Sequence, residues 1–201
     1  YQLENILEQI LTSEQYSKNV ATKAGSQSFV EFAIKLPGKD SDENIWLPVD
    51  SKFPIESYSI LNDKYESGDK EEIKKSRSIL VRSIENFAKE ISSKYIDPPN
   101  TTDFAIMFLP IEGLYAEVLK EPGLLESLRD KYKITITGPT TFSALLNSLQ
   151  MGFRTLAVQK RSSEVWKILE AVKTEFNKFG QQLEKVDKQL NTASKSLNDL
   201  R

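Results

Sequence analysis

The sequence predicts an α/β sandwich, a mixed sheet covered by helices, continued by a long C-terminal coiled-coil helix. Three observations carry this expectation. Segments of strand length alternate with segments of helical spacing over the first 150 residues. One of them, 102–109, is apolar almost throughout, the pattern of a strand covered on both faces. The last forty residues repeat apolar positions at steps of 3 and 4 without a break. We therefore expect an α/β domain over 1–160 and a helical arm over 161–201.

Each element follows from local chemistry. Leu3, Ile6, Leu7, Ile10 and Leu11 have the spacing of one helix face. Gly25-Ser26-Gln27-Ser28 is turn chemistry, and 29–36 is then rich in β-branched and aromatic residues, as a strand is. A polar turn over 37–44 leads into a second strand, 45–52, which makes a hairpin that Pro54 ends. The charged stretch 60–94 carries Ile73, Leu80, Ile84, Phe87 and Ile91, a helix with a ragged, solvated start. Asp97-Pro98-Pro99-Asn100 stops it, and the apolar strand 102–109 follows, closed by Pro110. Short helices are expected over 113–120 and 122–131, and 133–137 alternates as a fourth strand. Gly138-Pro139-Thr140-Thr141 starts the last helix with a Thr as candidate cap, and Phe142, Leu145, Leu146 and Leu149 form its apolar face.

Composition narrows the chemistry further. The chain has 201 residues and contains neither Cys nor His. That removes disulfides, thiol catalysis, Ser-His-Asp triads and Cys- or His-bound zinc, so any catalysis must run on carboxylates, Lys, Arg, Tyr, Ser or Thr. A formal charge of −2 advertises no global affinity for nucleic acid or anionic lipid, so such binding would be local. The longest apolar run, 104–111, is far short of the ~20 residues of a spanning helix, and no secretory signal opens the chain. A cytoplasmic location without membrane contact is expected for this fragment. The chain opens on Tyr1 with helical spacing already running, as a piece of a longer protein would.

In the final segment Val165, Leu169, Val172, Phe176, Phe179, Leu183, Val186, Leu190, Ala193 and Leu197 form one heptad seam. A helix over 165–197 is roughly 50 Å long at 1.5 Å per residue, too long to lie on a core of this size. The seam is expected to pair with a second copy or with another helix of the longer chain. An amphipathic helix lying on the domain is the alternative.

The residues that carry chemistry sit on the hairpin. Asp50-Ser51-Lys52 ends an apolar strand, and residues i and i+2 on a strand share a face. Glu31 lies within Phe29-Val30-Glu31-Phe32-Ala33-Ile34 on the neighbouring strand, where the hairpin can bring it beside Asp50. Two carboxylates ~5 Å apart repel by roughly 3 kcal/mol at an effective dielectric near 20, so a cation or solvent must accompany them. With no His, a hard divalent ion, Mg²⁺ or Mn²⁺, fits such oxygen ligands. A bound water aimed by the Lys52 ammonium is then a nucleophile for a phosphodiester. The plain alternative is a solvated ion pair between Asp50 and Lys52.

Glu31 followed by Phe32-Ala33-Ile34-Lys35-Leu36-Pro37, then Val49-Asp50-Ser51-Lys52, Phe108-Leu109-Pro110-Ile111-Glu112, and Gly138-Pro139-Thr140-Thr141 with Phe153-Arg154, resembles the RmuC family of bacterial DNA recombination proteins. The likeness runs over nearly the whole chain. It implies a PD-(D/E)xK nuclease with a restriction-endonuclease-like core, and a role in limiting recombination at inverted repeats. It also implies an upstream coiled coil, often behind a membrane anchor, and a Gly-Glu pair upstream of Tyr1 that would add a catalytic ligand.

Carried over by the resemblance, Glu31 stands for the first acidic residue of the motif, with Val30 in place of its Pro and Glu in place of its Asp. Asp50 and Lys52 stand for its D/E and K. Glu31 and Asp50 are the expected metal ligands, and Glu4 on the opening helix is either a further metal contact or a surface charge. Glu112 is a helix cap or a substrate or metal contact. Thr140 and Thr141 offer a phosphate-binding helix start or a simple cap. Arg154, Lys160 and Arg161 are candidate DNA-backbone contacts or a solvated face. DNA is the expected partner. The rival reading is a non-catalytic DNA-binding scaffold that keeps the nuclease fold and oligomerises through the seam.

Overall fold

The computed structural model describes residues 2–37 and 44–198, apart from the side chains at 157–164, 183, 187, 191 and 193–198. The polar turn expected at 37–44 falls, but for its ends, outside the described residues. The chain separates into two compact units, Tyr1–Gln150 and Met151–Arg201. This division and the boundary expected at 160 both fall within the last helix.

Unit one is a mixed α/β fold. Strands β1 (Tyr16–Val20), β2 (Val30–Pro37), β3 (Asn44–Ser51), β4 (Ala105–Phe108) and β5 (Ile134–Thr137) form one sheet in sequence order. The first three are antiparallel neighbours, and β4 and β5 join in parallel. Parallel neighbours need crossovers, and helices supply them. Helices α2 (Ile55–Ser67) and α3 (Lys70–Tyr95) link β3 to β4, and α4 (Glu112–Leu119) and α5 (Leu124–Tyr132) link β4 to β5. Helix α1 (Gln2–Ile10) opens the chain, and α6 (Pro139–Asn198) closes it.

Strand alternation decides what each face buries. Ala33, Ala105, Met107 and Ile134 join Leu80, Ile84, Ala88 and Ile91 of α3 and Leu114, Val118 and Leu128 of α4 and α5 in one core cluster. On the other face Phe142 of α6 meets Phe108 edge-on, with ring centroids 5.4 Å apart. Leu3 and Leu7 of α1 and Leu146 of α6 are also buried, and Gln150 Nε2 donates to the Ile10 carbonyl at 2.6 Å, joining the two helices. Every residue of β4 is buried, which is why this segment is apolar throughout.

Three features differ from expectation. β1 had no counterpart in the sequence reading, because an edge strand with only Tyr16 buried has little apolar signal, and Lys18 marks the exposed edge. The stretch taken as one helix over 60–94 is two. Gly68, at φ 71°, ends α2 with its N–H on the Lys64 and Tyr65 carbonyls, and the Asp69 side chain caps α3 by accepting from the N–H groups of Glu71 and Glu72. The central strand is also shorter than 102–109, because Thr102 turns its hydroxyl to the Phe104 carbonyl instead of continuing the ladder. Among the described residues, no helix is long and apolar enough to cross a membrane.

Candidate functional site

Asp50 and Lys52 come from the C-terminal end of β3, where the antiparallel and parallel halves of the sheet meet. The pairing Phe32 with Val49, extended by one residue, puts Glu31 opposite Asp50 on the same sheet face. On the other side Asp50 pairs with Met107, which places its carboxylate on the α3 side of the sheet. The strand end is held tightly. The Lys52 N–H donates to the Phe108 carbonyl at 3.0 Å, and the Ser51 N–H donates to Glu31 Oε2 at 3.2 Å.

Asp50 is 4% exposed. Its Oδ2 lies 2.7 Å from Lys52 Nζ, and this ion pair is its one polar partner, made without regular hydrogen-bond geometry. The Lys52 ammonium also sits 5.9 Å from the ring centroid of Phe87 on α3. Burial raises the Asp50 carboxyl above its ordinary pKa, and the attraction of Lys52 offsets this in part. Burial alone would lower the Lys52 pKa, but the hydrogen bond and charge of Asp50 outweigh it and leave it raised. Lys52 therefore stays protonated.

Helix α3 contributes residues that sequence reasoning missed. Glu90 and Lys94 pair with each other and act by charge on both Asp50 and Lys52. The hydrogen bond from Lys94 holds the Glu90 carboxyl below its ordinary pKa, and burial pushes the Tyr95 phenol up. A signal was available: Phe87, Glu90 and Lys94 are spaced 3 and 4 apart, so they share one helix face. What could not be read was that this face covers β3.

The remaining candidates are placed elsewhere. Glu4 pairs with Lys18 of β1, whose strand position pairs with Phe32 and so faces away from Asp50. Glu112, at the start of α4, accepts a hydrogen bond from the Thr140 N–H and so caps α6 across 28 positions of sequence. Thr141 Oγ1 accepts from the Gly138 N–H at 2.9 Å. The N–H that a phosphate would take from Thr140 is thus already given to Glu112. A Cβ on Gly138 would stand 2.7 Å from Glu112 Oε2 and about as close to Tyr115, which explains the glycine. Arg154 is exposed on α6. The side chains of Lys160 and Arg161 lie outside the described residues.

Among the described residues, no group of three or more acidic side chains gathers as a metal cage. Glu31 and Asp50 form a set of two carboxylates. That suits Mg²⁺, which keeps several waters and takes one or two carboxylates together with substrate phosphate. A buried carboxylate oxygen whose one polar partner is an ammonium has lone-pair capacity left for a cation.

Comparison with known proteins then supplies a family. A model of the RmuC family matches residues 1–201. The chain is 53% identical over 199 residues to the DNA recombination protein RmuC homologs of two Xylella fastidiosa strains, Temecula1 and 9a5c, covering 98% of this chain and 44% of theirs. It is 25% identical over 203 residues to the RmuC homolog of Chlamydia trachomatis, covering 99% of this chain and 44% of that one. The chain therefore spans less than half the length of the curated relatives it matches. No solved structure matches it. With the family model matched from end to end, the chain belongs to the RmuC family.

Proposed function

We propose that this chain is the DNA-processing domain of a recombination protein and hydrolyses phosphodiester bonds at Glu31, Asp50 and Lys52 with Mg²⁺ or Mn²⁺. One observation carries the reading: a buried carboxylate, Asp50, paired with a lysine two residues on and set opposite a second carboxylate at a strand end. The names of the relatives, DNA recombination protein RmuC homolog, support the biological setting. A sheet that is antiparallel over β1–β3 and parallel over β3–β5 supports a restriction-endonuclease-like core.

Glu31 and Asp50 would hold the ion. When bound, it supplies Lewis acidity and a water of lowered pKa. The chain's own residues do the rest. Lys52, protonated and fixed between Asp50 and Phe87, sets a positive charge where a phosphate oxygen would gain negative charge. Covered by α3, Asp50 has little water to solvate its charge, so an ionised Asp50 favours a cation beside it. We assign DNA-backbone contact to Arg154, Lys160 and Arg161, and capping to Glu112, Thr140 and Thr141.

A second reading, a DNA-binding scaffold without catalysis, is favoured by Lys52 already neutralising Asp50. Calorimetric titration with Mn²⁺ separates the two when run on the chain and on Asp50→Asn, alongside divalent-dependent cleavage of DNA. Under our reading, binding and cleavage occur and both disappear in the variant. A ligand at 100 times its Kd would also add about 2.7 kcal/mol of stability. Cleavage that survives Asp50→Asn removes Asp50 from the mechanism, and absence of both binding and cleavage favours the scaffold.

A further inference from the structure

From Val165 to Leu190 the seam residues of α6 whose side chains are described are 44–72% exposed. A continuous apolar stripe along a helix of this length needs a partner. The spacing alone leaves its identity and direction open, but the residue sizes and flanking charges do not.

We infer that the partner is a second copy of this chain, running antiparallel and centred near residue 181. With the seam 165–197 fully overlapped, each a position faces a d position of the other copy. Phe176 then faces Val186, Val172 faces Leu190, and Leu169 faces Ala193, so large residues meet small ones. A parallel pair in register would instead stack Phe176 on Phe176 and Phe179 on Phe179, and would leave Ala193 on Ala193. The first two layers are overfilled and the third is empty.

Flanking positions agree. In the antiparallel register Lys173 meets residue 187, an Asp, and by symmetry this happens twice. Glu175 meets Gln189, Gln182 meets itself, and Gly180 meets itself, so no like charges oppose. A slip of one heptad in either direction leaves two seam residues without a layer at one end and separates Lys173 from Asp187. The full overlap is the one antiparallel register that fills all layers and pairs the charges. The inference uses only the helix and does not depend on the catalytic reading.

The chain has no cysteine, which gives a clean background for cross-linking. Phe176→Cys and Val186→Cys chains are prepared separately, checked for helix content by circular dichroism, and oxidised alone and as a mixture. The expected result is a disulfide-linked dimer from the mixture and none from either variant alone. Self-linking of each variant alone would show a parallel pair and overturn the inference. Sedimentation equilibrium of the unmodified chain should give a dimer, and a monomer at all concentrations up to ~100 µM would also overturn it. As a check independent of cysteine, Lys173→Asp should weaken the dimer roughly tenfold, and adding Asp187→Lys should restore it. No rescue would remove the register.

Discussion

Helices α3 and α6 both carry apolar residues at steps of 3 and 4, and the structure treats them oppositely. α3 buries Ser76, Leu80, Ile84, Ala88, Ile91 and Tyr95 against the sheet and α5, and its flank covers Asp50 and Lys52. α6 leaves Leu169, Val172, Phe176 and Leu190 exposed. The same periodicity therefore means core in one helix and an unfilled interface in the other. A helix stripe specifies that a partner is needed, and only the surrounding chain decides whether the partner is intramolecular.

Truncating the buried stripe tests this comparison with the largest effect. Ile84→Ala is expected to cost about 2–5 kcal/mol in urea unfolding, as deletions in a filled core do. A loss below ~1 kcal/mol would mean that α3 is not the packed element described. The break before α3 should come next. Gly68→Ala forces a side chain into a left-handed conformation at the end of α2 and is expected to cost about 1–2 kcal/mol, read as a lower unfolding midpoint.

A smaller effect concerns the site that α3 covers. Burial raises the Asp50 pKa in the folded state, so the folded chain holds that proton more tightly than the unfolded chain does. The stabilisation is complete below the unfolded value near ~3.9 and is lost as pH rises through the folded pKa. Wild type should therefore lose thermal stability relative to Asp50→Asn as pH climbs from about 4. Parallel Tm curves for the two proteins would remove the burial penalty from the account. At the other extreme, Leu169→Ala on the exposed stripe should change stability by less than ~0.5 kcal/mol at concentrations where the chain is monomeric. A core-sized loss there would mean that the stripe is packed within one chain.

Much of this was legible in residue order. Apolar runs marked β2, β3 and β4, turn chemistry marked their ends, and the i, i+2 spacing of Asp50 and Lys52 placed both charges on one face because strand side chains alternate. The absence of His and Cys confined the candidate chemistry to carboxylates and lysine before any fold was known. Other features were written in the sequence but too weakly to stand alone. Ser67-Gly68-Asp69 is turn and cap chemistry inside a charged stretch, and Tyr16–Val20 is an edge strand that buries one large side chain. What tertiary structure alone decided is which elements face one another. Glu90 and Lys94 reach the field of Asp50 because α3 crosses over β3, and Glu4 turns to Lys18 on the opposite face. Glu112 caps a helix that begins 27 residues after it in the chain. The physical reason is range: backbone preference and side-chain alternation act over a few residues, whereas burial, charge pairing and long-range caps depend on contacts that exist only once the sheet is assembled.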